Sequence, residues 1–480
     1  MTSHDSYEQE LKSQTENKRT TVELIKVAHD LWYDKSIELV LFRNQIIDKS
    51  VNEIIDLHHY ATDFVGKRIT VEDTLKISKA IQKAHLNPSK LDLGKLTYEF
   101  NLENSKNANI FISNKLDNAK TTDAIQPRDT VLYGFGRIGR LLARELTSKA
   151  GKGSQLRLRA IVTRGNITQE ILEKRASLLK TDSVHGYFKG TVSVDLKNNA
   201  LIINGSTVYI ISSNQPEDID YTQYGIQNAL IIDNTGAFRD YKALSRHLKA
   251  NGTSKVLLTA PGKGIPNIVY GVNHEENNPD ELNIFSAASC TTNAITPILN
   301  VIEKEFGIIH GHLETIHAYT NDQNLVDNMH KKYRRGRAAG LNMVLTETGA
   351  GKAVSKALPS LEGKLSSNAI RVPVPNGSLA ILNLHIEKET TLEHLNTTIK
   401  RYALEGELVE QIKYSAESEL VSSDIIGSSA PSIFDSNTSI VSKDGKNIIL
   451  YVWYDNEYGY SRQVIRLAKH IAKVRRYTYY

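Results

Sequence analysis

A single cysteine, Cys290, occurs in 480 residues, so no internal disulfide can form and nothing asks for an oxidising compartment. No apolar run reaches the length of about eighteen residues that a membrane-spanning helix needs, so no membrane association is expected. The first thirty residues mix acids with bases and hold no apolar stretch, unlike a signal or transit peptide. The cytoplasm is therefore the expected compartment. Blocks of like charge are also missing: 59 bases stand against 54 acids, and the net charge of +5 gives no basic tail for nucleic acid. The densest basic segment holds Arg462, Arg466, Lys469, Lys473, Arg475 and Arg476, and it reads as the solvated face of a terminal helix. There is no internal repeat and no low-complexity segment, and no metal centre is expected.

What is present falls into two styles, in a chain too long for one core. Between Thr21 and Leu86 apolar residues recur at helical spacing (Val22, Leu24, Ile25 and Ala28; Val40, Leu41, Ile46 and Ile47; Val51, Ile54 and Ile55), which predicts three or four helices. A stretch rich in Asn, Lys and Ser from Asn101 to Lys120 reads as a linker, and Pro127 marks a new start. From Thr130 the pattern alternates strand and helix, which implies a largely parallel sheet. Asn204-Gly205, within an alternating stretch from Gly190 to Ser212, predicts a hairpin. The expected architecture is α/β. A helical N-terminal extension (1–125) precedes it.

Gly134-Phe135-Gly136-Arg137-Ile138-Gly139 follows a predicted strand and opens a predicted helix, the context that gives such a glycine pattern meaning. Gly134 allows the tight turn, Gly136 lets a pyrophosphate approach the backbone, and Gly139 permits close helix–strand packing. The second strand then ends Ile161-Val162-Thr163-Arg164-Gly165. An acid that would accept hydrogen bonds from the adenosine ribose of NAD is missing there. Thr163 and Arg164 could instead donate to a 2′-phosphate, or Arg164 could be a surface residue with the ribose held elsewhere.

Cys290 stands where a short strand gives way to a helix, and a helix N-terminus stabilises a thiolate. His317 closes another predicted strand and could serve as a base. From the residues alone, a nucleophile–base pair and a small buried thiol beside an unrelated histidine both remain open.

Seven segments bear on the choice: YGFGRIGR, SAASCTTNAITP, TIHAYTNDQ, RRGRAAGLNM, TETGAGKAVSKALP, RVPVPN and WYDNEYGYS. In this order and nearly this spacing, from about Thr130 to the C-terminus, they resemble the signature segments of the glyceraldehyde-3-phosphate dehydrogenase family. The resemblance implies a Rossmann-type, doubly wound cofactor domain (126–289), an α+β catalytic domain with a mixed sheet (290–455) and a C-terminal helix (456–480) that returns to the cofactor domain. It also implies that Cys290 attacks an aldehyde and His317 acts as base, with NAD or NADP as hydride acceptor. The thioester formed would pass to inorganic phosphate, giving an acyl phosphate. It implies cofactor contacts from Gly134, Gly136, Arg137, Ile138, Gly139, Thr163, Arg164, Thr235 and Thr259, with Asn456 orienting the nicotinamide carboxamide. One anion site, for the phosphate of glyceraldehyde 3-phosphate, would use Thr320, Asp322 and Arg371. A second, for inorganic phosphate, would use Ser289, Thr291, Arg335, Thr348 and Gly349. Backbone N–H groups near Cys290 would hold the oxyanion, and a homotetramer is implied.

Departures from the family pattern bear on the thiol, which has no neighbouring thiol to quench it when oxidised, and on the cofactor. Ala294 replaces a second cysteine found in many relatives, Thr163 stands where NAD-specific ones have an acid, and Met329 where many have a proline. Asn214 occupies the place of an arginine expected near the adenosine. Leu91-Asp92-Leu93-Gly94-Lys95-Leu96 resembles a segment of long bacterial forms, in which an extension precedes the core. Two other functions remain alternatives: an erythrose-4-phosphate dehydrogenase, whose thioester is resolved by water, and an interaction protein without catalysis. RRGR and TETG favour phosphate over water.

Overall fold

The computed structural model describes residues 3–121 and 125–480, with side chains from residue 6 onward apart from 63 and 64. The chain forms two compact units: Met1–Pro127 with Ala150–Gln155 and Val474–Tyr480, and Arg128–Lys149 with Leu156–Lys473.

The first unit is helical, as expected, but it also holds a sheet that periodicity did not reveal. Its helices are Ser3–Lys35, Val51–Val65, Val71–Lys83, Leu93–Leu102 and Ala108–Lys115. Two of them open on reciprocal caps, Ser50 with Glu53 and Thr70 with Asp73, which satisfy amides that a helix start leaves unpaired. Val40 and Leu41, expected in a helix, lie in the buried strand Glu38–Leu41. A short apolar run fits strand and buried helix equally, and here pairing with Ser89–Asp92 decides. The expected linker from Asn101 to Lys120 contains the helix Ala108–Lys115, started by the Asn107 side chain and anchored by buried Phe111 and Ile112. Strand order in this sheet is Asn44–Gln45, Glu38–Leu41, Ser89–Asp92, Tyr477–Tyr479.

That last strand corrects the expected helix over 456–480. The helix runs only from Tyr458 to Ile471, and Lys473 then takes a left-handed φ of 56° that sends the chain into the strand. The basic residues there form a solvated face only in part: Lys473 and Arg475 are exposed, but Arg462 pairs with Glu145, and Arg476 is buried over the Trp32 ring at 4.6 Å.

The second unit is built on two sheets. The first runs Ile284–Ser286, Thr253–Leu258, Ala229–Asp233, Arg128–Tyr133, Leu156–Thr163, Ser206–Ser212, Ala200–Ile203, Val192–Asp195. Six strands are parallel, and the last two close it as an antiparallel ladder. The hairpin turns at Asn204 and Gly205, both left-handed as a two-residue turn requires. The order reverses between Arg128–Tyr133 and Ala229–Asp233, the crevice where doubly wound sheets bind ligands. The second sheet is mixed. Its strands run Val344–Thr346, Leu365–Val372, Ile308–Ala318, Ser378–Ile386, Asn447–Tyr454, Ser432–Asp435, Ile412–Ser415, and the helix Cys290–Phe306 packs into its core. Among the described residues no helix is long and apolar enough to cross a membrane.

Candidate active site

At the crevice of the first sheet, a pocket of about 310 Å³ is lined by Gly134, Gly136, Thr163, Arg164 and Thr235, all expected from the sequence. Gly134 has φ +112°, and a Cβ there would meet Asn234 Oδ1 at 2.8 Å. A Cβ on Gly139 would strike Gly134 O and Asn234 Oδ1 at 2.6 Å, whereas one on Gly136 would meet nothing within 4 Å. The first and third glycines thus serve the tight turn and packing, and the second leaves room for a ligand. No side chain caps the helix Arg137–Ser148, so its first amides are open to an anion. Asn234 Oδ1 is buried without a hydrogen-bond partner in this pocket. These features fit a dinucleotide, whose pyrophosphate would face the helix start.

Thr235 is held by the buried Asp233, whose Oδ1 accepts from the Thr235 N–H at 2.9 Å and hydroxyl at 2.7 Å. Two expected contacts are placed differently. The Arg137 guanidinium donates to Glu457 at 2.5 and 2.6 Å and pairs with Asp182, and the residue does not line the pocket. Thr259 does not line the pocket; its N–H donates to Asp233 O at 2.9 Å.

The second site forms where the strand Ile284–Ser286 turns into the helix Cys290–Phe306. Ala288 takes a left-handed φ of 53°, a strained conformation for a residue with a Cβ. It is held by its N–H to Ser286 Oγ at 3.1 Å and by its carbonyl, which accepts from Tyr460 OH at 2.9 Å. Ser289 caps the helix through the Thr292 N–H at 3.1 Å, and Cys290 becomes its first residue. On the strand Ile308–Ala318, Leu313, Thr315 and His317 share the buried face. Strand register sets Thr315 beside Ala369 and His317 beside Arg371.

The result is a Cys290 Sγ to His317 Nε2 distance of 3.6 Å. A pocket of about 370 Å³ surrounds the pair, lined among others by Ser289, Thr291, Thr348, Gly349 and Arg371. Burial pushes the Cys290 thiol up, and the Arg371 guanidinium, the Thr291 hydroxyl and the amides of Thr291 and Cys290 pull it back. Burial, with Arg371 second, lowers His317 to about 3, so both partners are neutral near pH 7. His317 Nδ1 lies 2.7 Å from both Ala318 O and Arg371 Nη1. Because the guanidinium can only donate, it favours a lone pair on Nδ1 and a proton on Nε2. Without it, Nδ1 would donate to Ala318 O and Nε2 would face the thiol as an acceptor.

The anion residues divide differently from the expected sets. Arg371 joins Ser289, Thr291, Thr348 and Gly349 at the thiol. Arg335 instead pairs with Asp322, which also accepts from Thr320, and donates to Thr346 Oγ1 at 2.9 Å. Burial works against the Asp322 carboxylate, but Thr320 and Arg335 outweigh it and hold its pKa low. Asn456 is buried, and its Oδ1 accepts from Ser378 Oγ at 2.8 Å, which orients the carboxamide.

Several residues at the two sites had not been singled out. Tyr454 OH lies 3.0 Å from Thr291 Oγ1, and Tyr460 holds the Ala288 turn; both belong to the WYDNEYGYS segment that had drawn notice for Asn456. Lys352 and Lys356 line the thiol pocket from the TETGAGKAVSK segment. Arg175 and Asn234 line the nucleotide pocket, and Arg175 left no signal in a helix of mixed charge.

Comparison with known proteins agrees with this geometry. Residues 128–241 match the family model described as glyceraldehyde 3-phosphate dehydrogenase, NAD binding domain, and residues 289–456 match the C-terminal domain of the same enzyme. A "Glyceraldehyde-3-phosphate dehydrogenase-like protein" of Pseudomonas aeruginosa is 47% identical over 94% of this chain and 98% of its own length. A match of that extent takes in most of the first unit. The glyceraldehyde-3-phosphate dehydrogenase of Geobacillus stearothermophilus is 41% identical over 71% of this chain and 97% of its own. Glyceraldehyde-3-phosphate dehydrogenase 2 of a Nostoc species is 42% identical over 71% and 98%. With a glycine turn shaped for a dinucleotide, a thiol at a helix start facing an imidazole, and two domain matches in the right order, the chain belongs to the glyceraldehyde-3-phosphate dehydrogenase family of oxidoreductases.

Proposed function

We propose that the protein oxidises D-glyceraldehyde 3-phosphate and phosphorylates it to 1,3-bisphosphoglycerate, with NAD(P)+ and inorganic phosphate, in glycolysis or gluconeogenesis. The observation that carries this reading is the 3.6 Å approach of Cys290 Sγ to His317 Nε2 inside a pocket supplied with hydroxyl and guanidinium donors. Cys290 sulfur bonds to the aldehyde carbon, and the thiol proton passes to the carbonyl oxygen, giving a thiohemiacetal. The Cys290 and Thr291 amides at the helix start are the candidate donors to that oxygen while it carries charge. Oxidation then removes the carbon-bound hydrogen with two electrons, and His317 Nε2 takes the hydroxyl proton. A bound nicotinamide dinucleotide supplies the electron acceptor. A phosphate oxygen attacks the resulting thioester, and the Cys290 thiolate leaves.

In this reading Arg371 has a second effect. A phosphate group that draws its N–H donors away from His317 lets Nδ1 donate to Ala318 O, and Nε2 becomes the base the step needs. The anion contacts proposed are Ser289, Thr291, Thr348, Gly349 and Arg371 at the thiol, with Thr320, Asp322 and Arg335 adjoining. Asn456 is proposed to fix the nicotinamide carboxamide.

Self-association into a homotetramer is part of the same reading. It is supported by an exposed apolar set on one loop segment, with Leu325 85%, Met329 90%, Tyr333 90% and Leu341 84% exposed. A single free thiol at the active site suits the reducing cytoplasm.

The test is initial rates with D-glyceraldehyde 3-phosphate, each dinucleotide in turn, with and without phosphate. Sustained turnover should require phosphate. Cys290→Ser should lower it about a thousandfold or more while dinucleotide still binds. Turnover indifferent to phosphate would point to hydrolysis of the thioester, and a serine variant near the parent rate would overturn the mechanism.

A further inference from the structure

We infer that Arg175 selects a 2′-phosphorylated dinucleotide, NADP rather than NAD, by receiving the adenosine 2′-phosphate; the inference rests on the dehydrogenase reading above. Arg175 lies on the helix Gln169–Lys180, which Thr168 starts by accepting the Ile171 N–H. Buried Leu172, Ala176 and Leu179 pin that helix to its neighbours, and Arg175, half-buried beside them, lines the nucleotide pocket with Thr163, Arg164 and Asn214.

Its electrostatic setting is unlike that of the other half-buried arginines nearby. Arg137 and Arg140 both face Asp182. For Arg175 no ion pair is found among the described residues, and its Nε is buried without a hydrogen-bond acceptor. Burial alone lowers its pKa, with no acid acting in the other direction. No Asp or Glu lines the pocket either. A partly desolvated guanidinium with no counter-charge is costly unless an anion completes it.

The position identifies that anion. The pyrophosphate belongs at the start of the helix Arg137–Ser148, and the adenosine ribose belongs at the end of the strand Leu156–Thr163. A negative group of the dinucleotide beside Thr163 is the 2′-phosphate. Thr163 offers it a hydroxyl where an acid would repel it, and Asn214 offers amide donors where an arginine had been expected. The helix thus supplies an arginine to the adenosine end from a different element. A guanidinium fits the phosphate with paired N–H donors, which a lysine does not reproduce.

Equilibrium binding to the full chain, by calorimetry, tests this without turnover. The probes are NADP+, NAD+, adenosine 2′,5′-bisphosphate and AMP. The wild type should bind NADP+ at least tenfold tighter than NAD+, and the bisphosphate at least tenfold tighter than AMP. Arg175→Gln should reduce both ratios about tenfold. Arg175→Lys, which keeps the charge and much of the stem, should retain a smaller preference and serves if the glutamine variant folds poorly. Wild-type ratios near one, or ratios unchanged in the variants, overturn the inference while leaving the dehydrogenase reading standing. Binding of neither dinucleotide overturns that reading, and the inference with it.

Discussion

Arg371 is the residue on which the proposed reactive pair turns, because it acts on the charge of Cys290 and on the ring of His317. Its charge favours the Cys290 thiolate, and its N–H occupies His317 Nδ1 at 2.7 Å. Removing it takes away a cation that stabilises the thiolate, which raises the thiol pKa; burial still holds His317 low, so the freed Nε2 lone pair offsets this only in part. The sign follows directly: a higher pKa leaves less thiolate at any pH below it, so alkylation slows. In Arg371→Ala, the pH midpoint of Cys290 alkylation by iodoacetamide should shift upward and the rate at pH 7 fall several-fold. An unchanged or downward-shifted midpoint would show that Arg371 does not act on the sulfur. Cys290 and the motif around it were legible in the sequence. The tautomer control by Arg371 was not, because it arises from strand register, with His317 opposite Arg371, across 54 residues of chain.

At the scale of elements, the C-terminal strand carries the clearest consequence. Periodicity continued the last helix to residue 480, but Lys473 breaks it and Tyr477–Tyr479 adds to the small sheet of the first unit by parallel pairing with Ser89–Leu91. Local propensity is a weak guide there, since Tyr-Thr-Tyr takes its conformation from the strand it meets. Buried Val474 and the stack of Arg476 on Trp32 add to the pairing. Truncation after Lys473 should cost the first unit on the order of 3 kcal/mol. It should appear as an earlier melting step and faster proteolysis of residues 6–121, with nucleotide binding by the second unit retained. Unaltered melting and proteolysis would mean that the strand contributes little. The helix Ala108–Lys115 offers the same lesson: eight residues of weak pattern become helical because Asn107 caps them and Phe111 and Ile112 find a core.

For the whole molecule, the exposed apolar side chains between Leu325 and Leu345 are the feature that a lone chain explains least. Monomers rarely leave so many large apolar groups uncovered on one segment. Light scattering behind a sizing column should give the mass of a tetramer of 53.6 kDa chains. Leu341→Glu combined with Met343→Glu should shift the mass toward smaller species, because a charge buried in an apolar interface lacks a partner. A monomeric wild type would remove the homotetramer from the proposed function without touching the chemistry of Cys290.

The sequence alone determined the doubly wound cofactor half, the glycine turn and the place of Cys290 at a helix start, and it left the pairing of Cys290 with His317 open. Each of the three is a local pattern: a strand period, a turn that needs glycine, a thiol placed at a helix start. Only the tertiary structure decided the sheet inside the helical extension, the regrouping of Arg335 with Asp322 and of Arg371 with the thiol, and the place of Arg175, without an ion pair among the described residues, in one pocket with Thr163. The physical reason is that each depends on which strands and charges the fold brings together or keeps apart. Strand pairing and the sharing of charge are contacts between residues far apart in the chain, so the partners are chosen by the folded geometry and leave no period or spacing to read.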